Sequence, residues 1–141
     1  MSGYKKGKKW TQADIGELGW SQCRTYGLAF PNKHGSMKFD IDYILESPLA
    51  HGTKGYLIAE AELVFENVNA LNIGLDFQNF QGIDLVSVEI ENESLTPNKK
   101  MKLYHFKIEL IVGIITFTAT GFQQLLKSDP MHSVTSDFER Y

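Results

Sequence analysis

Asp40 and Asp42 stand two residues apart, and Glu60 and Glu62 repeat that spacing further along the chain. In an extended strand, a spacing of two places both side chains on the same face. Such a set of carboxylates could do three kinds of chemistry: hold a divalent cation, share acid and base work in a hydrolysis, or attract a basic protein through its negative field. Calcium takes roughly six to eight oxygens, drawn partly from loops, so a flat array of strand carboxylates is a poor cage for it. The plainer reading is a solvated sheet face with no ligand.

The other reactive residues do not assemble. His34, His51, His105 and His132 are scattered, and the sequence pairs none of them with a nucleophile. Cys23 with a distant histidine could make a thiol nucleophile, but it begins an alternating apolar run, which argues for packing. The run His51-Gly52-Thr53-Lys54-Gly55 has the ingredients of a phosphate loop without its Gly-x-x-x-x-Gly-Lys frame. Asn92-Glu93-Ser94 matches a glycosylation acceptor, which matters only on a secretory route. No catalytic set, metal-ligand set or cofactor motif emerges, so the expectation is no cofactor.

The acids depend on the strands that aim them. Met37, Phe39, Ile41, Tyr43 and Leu45 alternate with Lys38, Asp40, Asp42 and Ile44; Leu57, Ala59, Ala61, Leu63 and Phe65 alternate with Ile58, Glu60, Glu62 and Val64. Each run reads as a strand with an apolar side and a charged side. The break between them, 46–55, contains Pro48 and Gly52 and allows a hairpin. Placing Phe39 opposite Leu63 sets Ile41 opposite Ala61, Asp40 opposite Glu62 and Asp42 opposite Glu60; slips by two residues preserve the same faces. Like charges directly opposite cost roughly 0.2–1 kcal/mol per pair. Water, interleaved lysines, a cation or a basic partner must offset that. Lys38 and Lys107 are the evident offsets, and Glu89, Glu91 and Glu109 could extend the patch.

Five further runs alternate with period two: Cys23–Phe30, Leu71–Phe77, Val86–Ile90, Tyr104–Leu110 and Ile114–Thr120. A loop is expected over 78–82 and a turn at Thr96–Lys100. No long helical stretch separates the strands, and parallel pairing would need such crossovers. Thr11-Gln12-Ala13-Asp14 has the hydroxyl-x-x-acid form of a helix start, and Phe122–Lys127 reads as a second short helix stopped by Asp129-Pro130. The expectation is a mainly β fold: a curved antiparallel sheet of about seven strands, two-layered or a partly open barrel, with one or two short helices.

Composition bounds the rest. The chain has 141 residues, 43% of them apolar and 22% charged, with nine Phe and six Tyr, which suits one dense core in a single domain. Residues 1–10, with the run Lys5-Lys6-Gly7-Lys8-Lys9, are expected to be a flexible N-terminal tail, and 11–141 the domain. A net charge of −3 with no basic face argues against nucleic acid. No signal segment opens the chain, and the most apolar run, Ile108–Ile115, is interrupted by Glu109 and far short of the ~20 residues of a spanning helix. A lone cysteine fits a reducing compartment, so a cytoplasmic protein without a membrane role is expected.

Three stretches are familiar together: Phe39-Asp40-Ile41-Asp42-Tyr43-Ile44-Leu45-Glu46, then 61–71 with Val64-Phe65-Glu66-Asn67-Val68-Asn69, then 113–124 ending Ala119-Thr120-Gly121-Phe122-Gln123-Gln124. In that order and spacing, from about Cys23 to Arg140, the chain resembles a family of small, uncharacterised bacterial β-rich proteins. Glu139-Arg140 is similar to that family's acid-arginine ending. The family's His-Asp pair before the cysteine is replaced here by Ser21-Gln22. More loosely, strand, Phe-x-x-Val turn, strand is similar to immunity-type proteins encoded beside bacterial toxins, which bind rather than catalyse. The expectation is a non-enzymatic protein-interaction module presenting Asp40, Asp42, Glu60 and Glu62 to a basic protein partner. A small-ligand-binding β-barrel and a carboxylate or metal-dependent hydrolase are the alternatives.

Overall fold

Period-two alternation becomes strand pairing throughout the computed structural model, which describes residues 3–78 and 82–140. The first two residues of the expected tail, positions 79–81 of the expected loop, and Tyr141 lie outside the described residues. The strands are β1 (Lys9–Thr11), β2 (Arg24–Ala29), β3 (Met37–Glu46), β4 (Tyr56–Glu66), β5 (Asn69–Leu75), β6 (Ile83–Leu95), β7 (Lys102–Leu110), β8 (Gly113–Ala119), β9 (Gly121–Leu126) and β10 (Met131–Ser133). All pairings are antiparallel, in the order β1-β9-β4-β3-β2-β6-β7-β8-β5, with β10 against the start of β4. β1 and β5 end that order, and the sheet is not closed into a barrel.

Among the described residues the sheet has ten strands rather than about seven. β1 and β10 have three residues each, too few to show a period. β9 occupies the segment expected as a helix over Phe122–Lys127. Its Phe122, Leu125 and Leu126 carry helical spacing, but Phe122, Gln124 and Leu126 are the buried row, and their period is two. A buried polar residue broke the apolar alternation: Gln124 is fully enclosed, and its Oε1 accepts the indole N–H of Trp20 at 2.7 Å. Pairing also begins earlier than the boundary at residue 11. Lys9 lies opposite Leu125, Trp10 is buried, and Gly7 N–H donates to the Leu126 carbonyl.

The helix start at Thr11 forms as a capping box, and Gln12–Glu17 continue as a 3-10 turn. Between β3 and β4, Pro48–His51 (α1) make one helical turn, capped by Ser47 and closed by Gly52 in the left-handed region. Here φ of +68° suits a residue without Cβ.

The inner face packs around Phe65 of β4. Its ring meets Phe39 of β3 and Phe106 and Phe117 of β7 and β8 edge-on, with centroids 4.8–5.9 Å apart, and Phe122 of β9 at 5.2 Å. β4 lies far from β7 and β8 in the strand order. The sheet therefore curls until its two halves share one aromatic core. Cys23 is wholly enclosed, and burial pushes its thiol up to about 12, as expected of a packing residue.

Candidate functional site

The outer face of the β3–β4 hairpin has the register that parity implied: Phe39 opposite Leu63, Asp40 opposite Glu62, Ile41 opposite Ala61 and Asp42 opposite Glu60. All four acids therefore stand on one face. Their exposures differ sharply. The Asp42 side chain is completely buried, whereas Glu62 is 24%, Glu60 41% and Asp40 46% exposed.

Asp42 is buried beside Arg140, which enters the sequence analysis only as part of the family's acid-arginine ending and not as a partner of these acids. The segment 137–140 crosses the hairpin and seats Arg140 among the carboxylates. Arg140 Nη2 lies 3.0 Å from Asp40 Oδ1 and Nη1 lies 3.3 Å from Asp40 Oδ2, a two-pronged contact. Nη1 is 3.0 Å from Glu60 Oε1, and Nη2 also donates to the Ile41 carbonyl at 2.9 Å. The guanidinium carbon lies 4.0 Å from the centroid of the Tyr26 ring, within cation–π range. Burial pulls the pKa of Arg140 down, but the hydrogen bond to Asp40 and the charges of Asp42, Asp40 and Glu60 raise it by more, so the side chain stays charged.

Tyr26 reaches this position through a β-bulge. Thr25 pairs with Ile41 and Gly27 with Asp40, leaving Tyr26 as the extra residue of β2. Bulges re-aim side chains, and this one turns a phenol toward the acids. Tyr26 Oη donates to Asp42 Oδ2 at 2.5 Å, and the Phe138 amide donates to the same oxygen at 2.7 Å. Burial, then the bond to Asp42, pushes the phenol up to about 12. Asp42 Oδ1 lies 3.1 Å from Arg140 Nε, yet that N–H is not aligned with it. Both atoms are buried without a hydrogen bond.

The other arginine anchors the same segment. Arg24 Nε pairs with Asp84 at 2.9 Å, and its Nη2 lies 3.5 Å from the carboxylate of Asp137, which in turn accepts the Glu139 amide. Beside Arg140 runs an open groove of about 460 Å³, lined by Lys38, Asp40, Glu60, Glu62 and Lys127 among others. Lys38 lies 3.7 Å from Glu62, as the expected offset. Lys107 instead pairs across to Glu89 in the β6–β7 ladder, and Glu89, Glu91 and Glu109 do not line the groove.

Among the described residues, no group of three or more His, Cys, Asp or Glu is arranged to hold a metal ion. A cation does occupy the acidic face, and it is a guanidinium. The sequence showed no hydroxyl–imidazole pairing, but the fold brings Ser94 Oγ to 3.2 Å from His105 Nε2 across β6 and β7. That contact is exposed, and no described residue hydrogen-bonds the other ring nitrogen, so nothing orients the imidazole as a base. Among the described residues, no helix is long and apolar enough to cross a membrane. Comparison with protein-family models, curated proteins and solved structures finds no match to this chain.

Proposed function

We propose that this chain is a non-enzymatic, bacterial interaction protein of the immunity type, acting in the cytoplasm, whose acidic β3–β4 face receives a basic protein partner. One observation carries the reading: the face already holds a guanidinium by three carboxylates, a backbone carbonyl and an aromatic ring. Those are the elements by which a protein recognises a partner's arginine. Asp40, Glu60 and Glu62 remain partly exposed along the groove, so their field reaches solvent and can steer an approaching cationic surface. The hydrolase reading finds less support, because Asp42 is buried behind Arg140 and Asp40 and Glu60 are committed to it.

The test is capture of basic proteins encoded by neighbouring reading frames, followed by association kinetics at several salt concentrations. Charge reversal at the exposed acids, Asp40→Lys with Glu60→Lys, should slow association by about tenfold or more and flatten its salt dependence. A captured partner that binds the double variant at the wild-type rate would remove the acidic face from the interaction.

A further inference from the structure

Resting on that reading, we infer that the segment 137–140 is an intramolecular stand-in for the partner, and that the partner engages the face by displacing it with an arginine of its own. Arg140 fills the seat but leaves one pairing unaligned. Asp42 is fully buried and aims Oδ1 at the seat, yet Oδ1 receives no hydrogen bond, and the adjacent Arg140 Nε also makes none. An arginine entering with its Nε–H aligned on Asp42 Oδ1 gains a bond that the resident side chain lacks.

The geometry also specifies the incoming segment. Asp42 is held at Oδ2 by the amide of the residue two before the arginine, Phe138, and the residue between, Glu139, is left-handed at φ +51°. A partner strand that reproduces this seat therefore carries a free amide, then a residue tolerant of the left-handed region, then arginine. Glycine or asparagine suits the middle position. Regulation follows from the competition: while the segment is docked, the arginine seat is open only to ligands able to evict it, and the apparent affinity falls by the fraction of molecules with an empty seat.

The probe is the neutral-flanked peptide acetyl-Gly-Phe-Gly-Arg-amide, titrated by calorimetry into the wild-type chain, Arg140→Ala and Arg140→Ala with Glu60→Gln. The expected result is binding to Arg140→Ala at least about tenfold tighter than to wild type, as a mostly docked segment requires, and weakening by Glu60→Gln. Equal binding to wild type and Arg140→Ala, still weakened by Glu60→Gln, overturns the stand-in while leaving the basic-partner reading intact. No binding to any form, at concentrations where the wild type is folded, overturns both. Should Arg140→Ala fail to fold, saturating peptide with the wild-type chain gives a second readout. Movement of the Phe138 and Arg140 amide resonances toward unstructured values supports displacement, and their persistence under saturation rejects it.

Discussion

Tyr26 and Asp42 lie sixteen residues apart in sequence and meet at 2.5 Å, phenol to carboxylate, because β2 carries one residue more than β3 at that point. Without the extra residue, Tyr26 would follow the strict alternation of its strand, and the most deeply buried acid of the molecule would lose a donor. The same ring then supports Arg140 from below. One irregularity in a ladder thus organises both the satisfaction of Asp42 and the seat of the guanidinium.

Replacing Tyr26 by Phe keeps the ring under Arg140 and removes only the hydroxyl. A hydrogen bond to a charged acceptor contributes about 1.5–3 kcal/mol. Because the Phe138 amide remains on the same oxygen, the lower part of that range is expected, read as a fall in the urea midpoint at unchanged slope. A midpoint equal to wild type would show that the bond contributes nothing.

Asp42 and Asp40 share a face and a counter-ion, yet their substitution should differ greatly. Asp42→Asn removes a wholly buried charge from Arg140 and should destabilise by about 3 kcal/mol. Asp40→Asn acts on a side chain 46% exposed, where water screens the pair, and should lie below about 1 kcal/mol. Denaturant titration of the two variants side by side settles the ranking.

Tyr26 and Tyr43 are each pushed up to about 12, chiefly by burial. An unfolded tyrosine loses its proton near pH ~10. Between those values the unfolded chain binds fewer protons than the folded one, so stability falls as pH rises from about 10 to about 12, and these groups leave it level below that window. Phenolate absorbance should show the late titration directly. In Tyr26→Phe, the slope of stability against pH should be shallower.

Phe65 touches four other phenylalanine rings, and Phe65→Ala should cost about 3–5 kcal/mol through the cavity it opens. Phe77, 58% exposed, is the control: its loss should stay within about 0.5 kcal/mol. Near-equal effects would mean that the two halves of the sheet do not share one core.

The hairpin that carries the acids was readable because parity is a strict constraint. Apolar residues at the odd positions of 37–45 and 57–65 leave the acids no other side, and the break at Pro48–Gly52 limits the register to a few choices. Arg140 was not readable from periodicity, since it lies a hundred residues beyond Asp40 in a stretch with no repeat. One signal did exist. The chain has twelve lysines and only two arginines, Arg24 and Arg140, and both anchor the same segment through carboxylates. Where lysine supplies nearly all positive charge, an arginine marks a place that needs a planar fork. β9 failed for a related reason: a buried glutamine serving Trp20 looks, in sequence, like the polar side of a helix.

The ribosome makes β3 and β4 before Arg140, so the two strands emerge and can pair long before Arg140 leaves the exit tunnel. Throughout that interval Asp40 faces Glu62 and Asp42 faces Glu60 without the guanidinium that joins three of them. The nascent hairpin is held by its backbone ladder, its apolar side and the Lys38–Glu62 pair against its own repulsion. Final consolidation of this face is therefore a late event, timed by the arrival of a single cationic side chain.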